Sequence, residues 1–236
     1  MGHGPHGHEN HSVLSVLEWI WKAQVPRMRG SGGVERCGSG ARPGREAPNI
    51  AESDTLGTER GIVDDMTEAT RRLVLLRHAK AEWSDNDDHE RPLAERGRKE
   101  APVAGQWLAG SGVVPELTLC STATRCRDTW KLVVAELPQR PKTVYDERIY
   151  EASLGELIAI LNETSDEVED LMLVGHNPGL HALADALAGE AEGDLLARMN
   201  RSGYPTSATT VLTFSGSWKN VEHGVGRLVA FWSPHA

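Results

Sequence analysis

The chain is short of cysteine, of long apolar runs and of positive charge, and each shortage removes a class of protein. Its three cysteines, Cys37, Cys120 and Cys126, form no CxxC pair. Such a sparse, odd count argues against a disulfide framework and points to a reducing compartment. The longest apolar stretch near the start, residues 13–21, is broken by Ser15 and Glu18. It falls far short of the ~20 residues that a membrane-spanning helix needs. It also lacks the basic flank and small-residue cleavage site of a secretory signal. Position 6 is His6 rather than Ser or Thr, so the myristoylation pattern on Gly2 fails. A cytoplasmic protein with no membrane partner is expected. The formal charge is −9, which argues against a general nucleic-acid binder because that would show a basic face. An anionic substrate stays open, since a few local arginines can outweigh a distant acidic surface.

Several catalytic signatures are missing too. There is no GxxxxGK[ST], HExxH or GxSxG, so P-loop, zincin and serine-hydrolase chemistry find no support. The N-terminal part has no Nudix-type glutamate box, so fusion to a nucleotide hydrolase is not indicated. The run from Gly2 to Gly7 matches GxGxxG formally, but no strand precedes it. His3, His6, His8 and His11 suit adventitious nickel or zinc binding. Without Cys or Asp partners they make no dedicated site, and neither a metal nor a cofactor is expected. Cys120 and Arg125 are separated by four residues, one fewer than a cysteine-phosphatase loop requires. Cys120 reads instead as a buried strand residue.

What is present divides the 236 residues into unlike parts. Residues 1–65 are rich in Gly, Pro, Arg and His, a composition too loop-like to offset its conformational entropy. They are expected to be a disordered extension or the product of a start placed too early, with one short helix over 12–23 capped by Ser12. Met66 stands just before the first strand signal, and a domain is expected over 70–236. There, strand and helix patterns alternate. Strands are predicted at 72–76, 117–120, 143–145, 171–174, 208–214 and 227–232. Helices are predicted at 93–109, with Pro92 in the first turn, at 122–137, at 153–162 with a Ser153/Glu156 capping box, and at 178–188. This order implies an α/β fold, a three-layer α/β/α sandwich around a mostly parallel sheet.

In such a sheet, ligands bind beyond the carboxyl ends of the strands. The residues at those ends are Arg77, His78, Ala79 and Lys80 after the first strand, Ser121 to Arg125 after the second, and Gly175, His176, Asn177 and Pro178 after the fourth. Two arginines and two histidines therefore converge on one rim. Arginine offers a planar fork of donors that fits phosphate oxygens and keeps its charge. Histidine serves as a neutral nucleophile near pH 7 or as a cation beside a phosphate. Helix N-termini add backbone N–H donors.

These strings resemble a known family. Leu75-Leu76-Arg77-His78-Ala79-Lys80 is similar to the signature of the histidine phosphatase superfamily, the phosphoglycerate mutase-like fold, with Ala79 in place of the usual glycine. Arg91-Pro92-Leu93 with Arg96-Gly97, Ser121 to Arg125 with Thr129, Gly175-His176-Asn177-Pro178, Thr206-Ser207-Ala208 and Trp232-Ser233-Pro234 resemble segments of the SixA-type phosphohistidine phosphatases. The resemblance covers about residues 71–234. It implies that His78 attacks phosphorus and forms a phosphohistidine intermediate while Arg77, Arg125 and His176 hold the oxygens, with no metal. It implies a carbonyl at a neighbouring strand end that fixes the His78 tautomer. Glu151 falls where relatives carry a general acid, Glu147 competes with it, and Lys80 and Asn177 are candidate substrate contacts. The expected substrate is a phosphohistidine protein or a small phosphorylated compound. A phosphoglycerate mutase-like phosphoryl transferase and a non-catalytic phosphate-binding module are the alternatives.

Overall fold

Four apolar residues in a row, Leu73, Val74, Leu75 and Leu76, give strand β1 (Thr70–Arg77) two faces that both need cover. The computed structural model describes residues 70–83 and 87–234. The expectations for residues 1–65, including the helix over 12–23, the four-histidine run and Cys37, lie outside the described residues. After β1 come α1 (Glu95–Gly110), β2 (Leu117–Ser121), α2 (Thr124–Val133), β3 (Lys142–Asp146), α3 (Leu154–Asn162), β4 (Asp170–Gly175) and α4 (Gly179–Leu187). The chain then forms β5 (Ala188–Ala191), α5 (Leu195–Ser202), β6 (Thr209–Ser215) and β7 (Gly226–Trp232).

The strands form one sheet in the order β3-β2-β4-β1-β6-β7-β5. β3, β2, β4 and β1 are mutually parallel neighbours, so their carboxyl ends share one edge. β6 runs antiparallel to both β1 and β7. Its entry segment, residues 203–208, is thereby brought to the edge where β1 ends. Alternate strand residues feed two separate cores. Leu73, Leu75, Leu171 and Leu173 pack with Leu157 and Leu161 of α3, Leu180 and Leu183 of α4, and Met199 of α5. Val74, Leu76, Met172 and Val174 face the other way, against Ala101, Ala104 and Leu108 of α1 and Cys126, Trp130 and Val133 of α2. The result is the expected three-layer α/β/α sandwich. Each fully buried Leu or Val contributes roughly 1.5–3 kcal/mol by leaving water.

Some boundaries differ from the sequence reading, for local reasons. Pro92 does not occupy the first turn of α1. Leu93 bridges Ala81 in antiparallel fashion, and Ala94 donates its N–H to the Lys80 carbonyl at 2.9 Å, so the helix begins only at Glu95. The helix expected over 122–137 is shorter, because Thr122 and Ala123 stay in the turn and the regular part stops at Val133. The capping box on α3 is present in full, with Ser153 and Glu156 bonding each other's backbone N–H. β5 and α5 were not predicted.

Candidate active site

His78 is the first residue beyond β1, and its backbone is pinned on both sides. Its N–H donates to the Gly175 carbonyl at 3.0 Å, and its carbonyl accepts from the Ser207 N–H at 3.3 Å. The ring Nδ1 lies 2.8 Å from the Ala79 carbonyl oxygen. A carbonyl only accepts, so Nδ1 carries the proton and Nε2 keeps its lone pair. The tautomer is therefore fixed by the next residue in the chain, not by the end of a neighbouring strand as expected. Burial lowers the pKa of His78 to about 3, against the Ala79 hydrogen bond and with help from the charges of His176, Arg125 and Arg77. The imidazole is neutral at neutral pH.

Two contacts hold this corner in place. Thr129, fully buried on α2, accepts from the Ala79 N–H at 2.9 Å and donates to the Arg125 carbonyl at 2.6 Å. Gly97 on α1 sits so close to the Lys80 backbone that a Cβ there would stand 2.2 Å from its carbonyl oxygen. Ala79, where the family pattern has glycine, is itself fully buried.

Arg77 donates from Nη1 to the Tyr204 carbonyl at 2.7 Å, and Asn177 donates from Nδ2 to the same oxygen at 3.0 Å. The two side chains thus tie the 203–208 segment to the ends of β1 and β4. Tyr204 and Ser207 in that segment hold positive φ angles of 53° and 63°, which L-residues adopt at a cost. Burial lowers the pKa of Arg77, yet a guanidinium stays charged.

Arg125, in the first turn of α2 and nearly fully buried, donates from Nη2 to Asp88 Oδ2 at 2.9 Å and from Nη1 to the Asp88 carbonyl. Tyr150 donates its hydroxyl to the same Oδ2 at 2.7 Å, and Arg91 donates to Asp88 Oδ1 at 2.7 Å. The Tyr150 hydroxyl, Arg91 and Arg125 hold the Asp88 carboxyl well below the usual range. His176, buried at the end of β4, shares its Nε2 with Ser121 Oγ at 2.9 Å and approaches Cys126 Sγ at 3.4 Å. Its ring centroid is 5.2 Å from that of His78. Burial, then the charge of Arg125, lowers its pKa to about 3. Cys120 and Cys126 are both buried, and burial raises both thiols, Cys126 to about 12.

A cleft of about 560 Å³ opens over these groups, lined by His78, Asp88, Arg125 and His176 at one end and by residues 151–154, 177–179 and 182 along the wall. Glu151 lines it, with φ of 53°. Glu147 is exposed on the turn Glu147–Ile149 and does not line the cleft. Asn177 lines it, whereas Lys80 and Arg77 do not. Lys80 contributes its backbone under α1, and Arg77 is braced behind the rim on Tyr204. Sequence reasoning missed Asp88 and Tyr150. The only local signal for Asp88 was an acid three residues before Arg91, and Tyr150 stands directly before Glu151.

The sequence profile of the histidine phosphatase superfamily, branch 1, matches residues 73–216. The chain belongs to this superfamily. The protein Rv1276c of Mycobacterium tuberculosis is 41% identical to it over 161 residues, an alignment covering 67% of this chain and 99% of the relative. Within the superfamily the chain is of the SixA type. The structure of a proposed phosphohistidine phosphatase SixA from Agrobacterium tumefaciens has a TM-score of 0.60 at 34% identity, over 70% of this chain and 98% of that one. Its counterpart from Nakamurella multipartitia has a TM-score of 0.62 at 26% identity, over 71% and 98%. Superfamily and neighbours together support a phosphatase activity. No helix among the described residues is long and apolar enough to cross a membrane.

Proposed function

We propose that His78 Nε2 takes a phosphoryl group from a phosphohistidine protein or a small phosphorylated compound and then passes it to water. In the first step Nε2 forms a bond to phosphorus as the bond to the leaving group breaks. In the second, water forms the new P–O bond as the Nε2–P bond breaks, orthophosphate departs with the water's oxygen, and the electron pair of the broken bond restores the lone pair of His78. The observation that carries this reading is the fixed tautomer of His78, with Nδ1 committed to the Ala79 carbonyl at 2.8 Å and the neutral ring beside Arg125 and His176 in one cleft. Arg125 and His176 are assigned to the phosphoryl oxygens, with Asn177 at the same rim. Arg77 adds positive charge from behind, and we give Lys80 at most a role in the field of the rim. Preorganised donors of this kind are each worth roughly 10²–10³ in kcat. We assign the activity to a domain of residues 70–236 in a cytoplasmic protein.

Glu151 is the proposed proton donor to the leaving group, since it lines the cleft and Glu147 does not. Imidazole leaves more readily than an alkoxide, so this acid matters more for phosphate esters than for phosphohistidine. The test is a panel of p-nitrophenyl phosphate, alkyl phosphates and a phosphohistidine peptide, assayed with the native protein, His78→Ala and Glu151→Gln. His78→Ala is expected to abolish turnover of every substrate. Glu151→Gln is expected to slow alkyl esters by about 10²-fold or more and to spare the phosphohistidine peptide. Equal rates for native and His78→Ala proteins refute the function.

A further inference from the structure

The guanidinium assigned to phosphate already holds an anion. Asp88 presents Oδ2 to Arg125 Nη2 at 2.9 Å and its main-chain carbonyl to Nη1. It does so inside the cleft that contains His78 and His176. Arg125 is nearly fully buried, while the Asp88 side chain is 46% exposed. Of the two partners, the carboxylate is the one with room to leave. It would not leave unpaired, because Oδ1 has its own cation in Arg91 at 2.7 Å. Arg91 is in turn anchored on the Glu82 carbonyl at 2.8 Å. Tyr150 completes the resting arrangement by donating to Oδ2 at 2.7 Å. A guanidinium fork accepts either a carboxylate or a phosphate in the same two-bonded manner. The two anions cannot share it without like-charge repulsion.

Resting on the function proposed above, we propose that Asp88 is the resident occupant of Arg125, that the incoming phosphoryl group displaces its carboxylate onto Arg91, and that its return to Arg125 helps expel orthophosphate. Asp88 thereby acts as a specificity residue, because only an anion that outcompetes a tethered carboxylate gains the arginine. A dianionic phosphoryl group does so, and free carboxylates and singly charged phosphodiesters do not.

The experiment is titration calorimetry of orthophosphate against the full chain and its Asp88→Asn variant, with acetate and a dialkyl phosphate as comparison anions. The amide keeps the shape and gives up the charge. Asp88→Asn is expected to bind orthophosphate about tenfold more tightly, a size typical of removing one like charge beside an anion. It is also expected to gain measurable affinity for the dialkyl phosphate. A residue that served only to orient Arg125 would give the opposite sign, so equal or weaker orthophosphate binding in a folded variant overturns the inference. Should Asp88→Asn fail to fold, Asp88→Ser is read the same way, with phosphate-dependent thermal shifts as the second measurement. Orthophosphate binding by neither protein would refute the proposed function along with the inference. Binding by the native protein without the gain in the variant refutes the inference alone.

Discussion

Two imidazoles whose ring centroids are 5.2 Å apart share the rim with Arg125, and Arg77 is braced on Tyr204 behind it. Burial and that positive field favour the uncharged form of both, with pKa values lowered from 6.5 to about 3. On the proposed function, His78 therefore keeps a lone pair for attack on phosphorus throughout the neutral range. The kcat/KM profile is expected to show no loss from His78 protonation between roughly pH 5 and 8, checked by a pH series with a substrate whose own ionisation is accounted for. For stability, the sign follows from which state binds the proton. Between about pH 6.5 and pH 3 the unfolded histidines take a proton that the folded ones refuse. Stability is therefore full above the unfolded value and falls as pH drops towards the folded one. Urea midpoints measured from neutral to acid pH should decline in the native protein and decline less in His176→Asn.

At the scale of elements, the site depends on how α1 and α2 grip the chain that leaves β1. Thr129 joins the Ala79 N–H to the Arg125 carbonyl, so it couples the loop of the proposed nucleophile, His78, to the helix that carries Arg125. Thr129→Val keeps the volume and removes both bonds. It leaves the Ala79 N–H buried without a partner, at a cost of about 1–3 kcal/mol, and should lower kcat more than it raises KM. Calorimetric melting with steady-state kinetics reads both effects. Gly97→Ala would drive a methyl to 2.2 Å from the Lys80 carbonyl oxygen. Backbone lies on both sides of that contact, so the cost of overpacking, roughly 1–3 kcal/mol or more, is expected as a lower melting temperature. The elements that carry these contacts were readable in the sequence, because unbroken apolar runs such as residues 73–76 and 171–174 mark strands buried on both faces. β5 was not, since it has four residues and neither face is fully buried. α5 was missed because only Leu195 and Met199 of its eight residues are buried, too few to set up a helical period.

The whole molecule places its chemistry where topology dictates. Four neighbouring parallel strands end along one edge, and the antiparallel entry of β6 returns residues 203–208 to that edge. His78, Arg125 and His176 were legible because each lies within a few residues of a strand's end. Asp88 and Tyr150 were not, because only the folded chain brings Asp88 from the α1 approach and Tyr150 from the β3 exit onto Arg125. The superfamily match begins at residue 73, and almost all of the M. tuberculosis relative aligns within two thirds of this chain. A chain beginning at Met66 is accordingly expected to keep the melting temperature and kcat of the full-length protein, which calorimetry and a phosphatase assay would check. The central claim is that phosphorus is carried on one imidazole. Brief reaction with p-nitrophenyl phosphate, a quench in alkali and peptide mass spectrometry test it directly. The predicted result is a single acid-labile phosphoryl group on His78, absent from His78→Ala. Phosphate on another residue, or continued turnover in His78→Ala, would contradict the account.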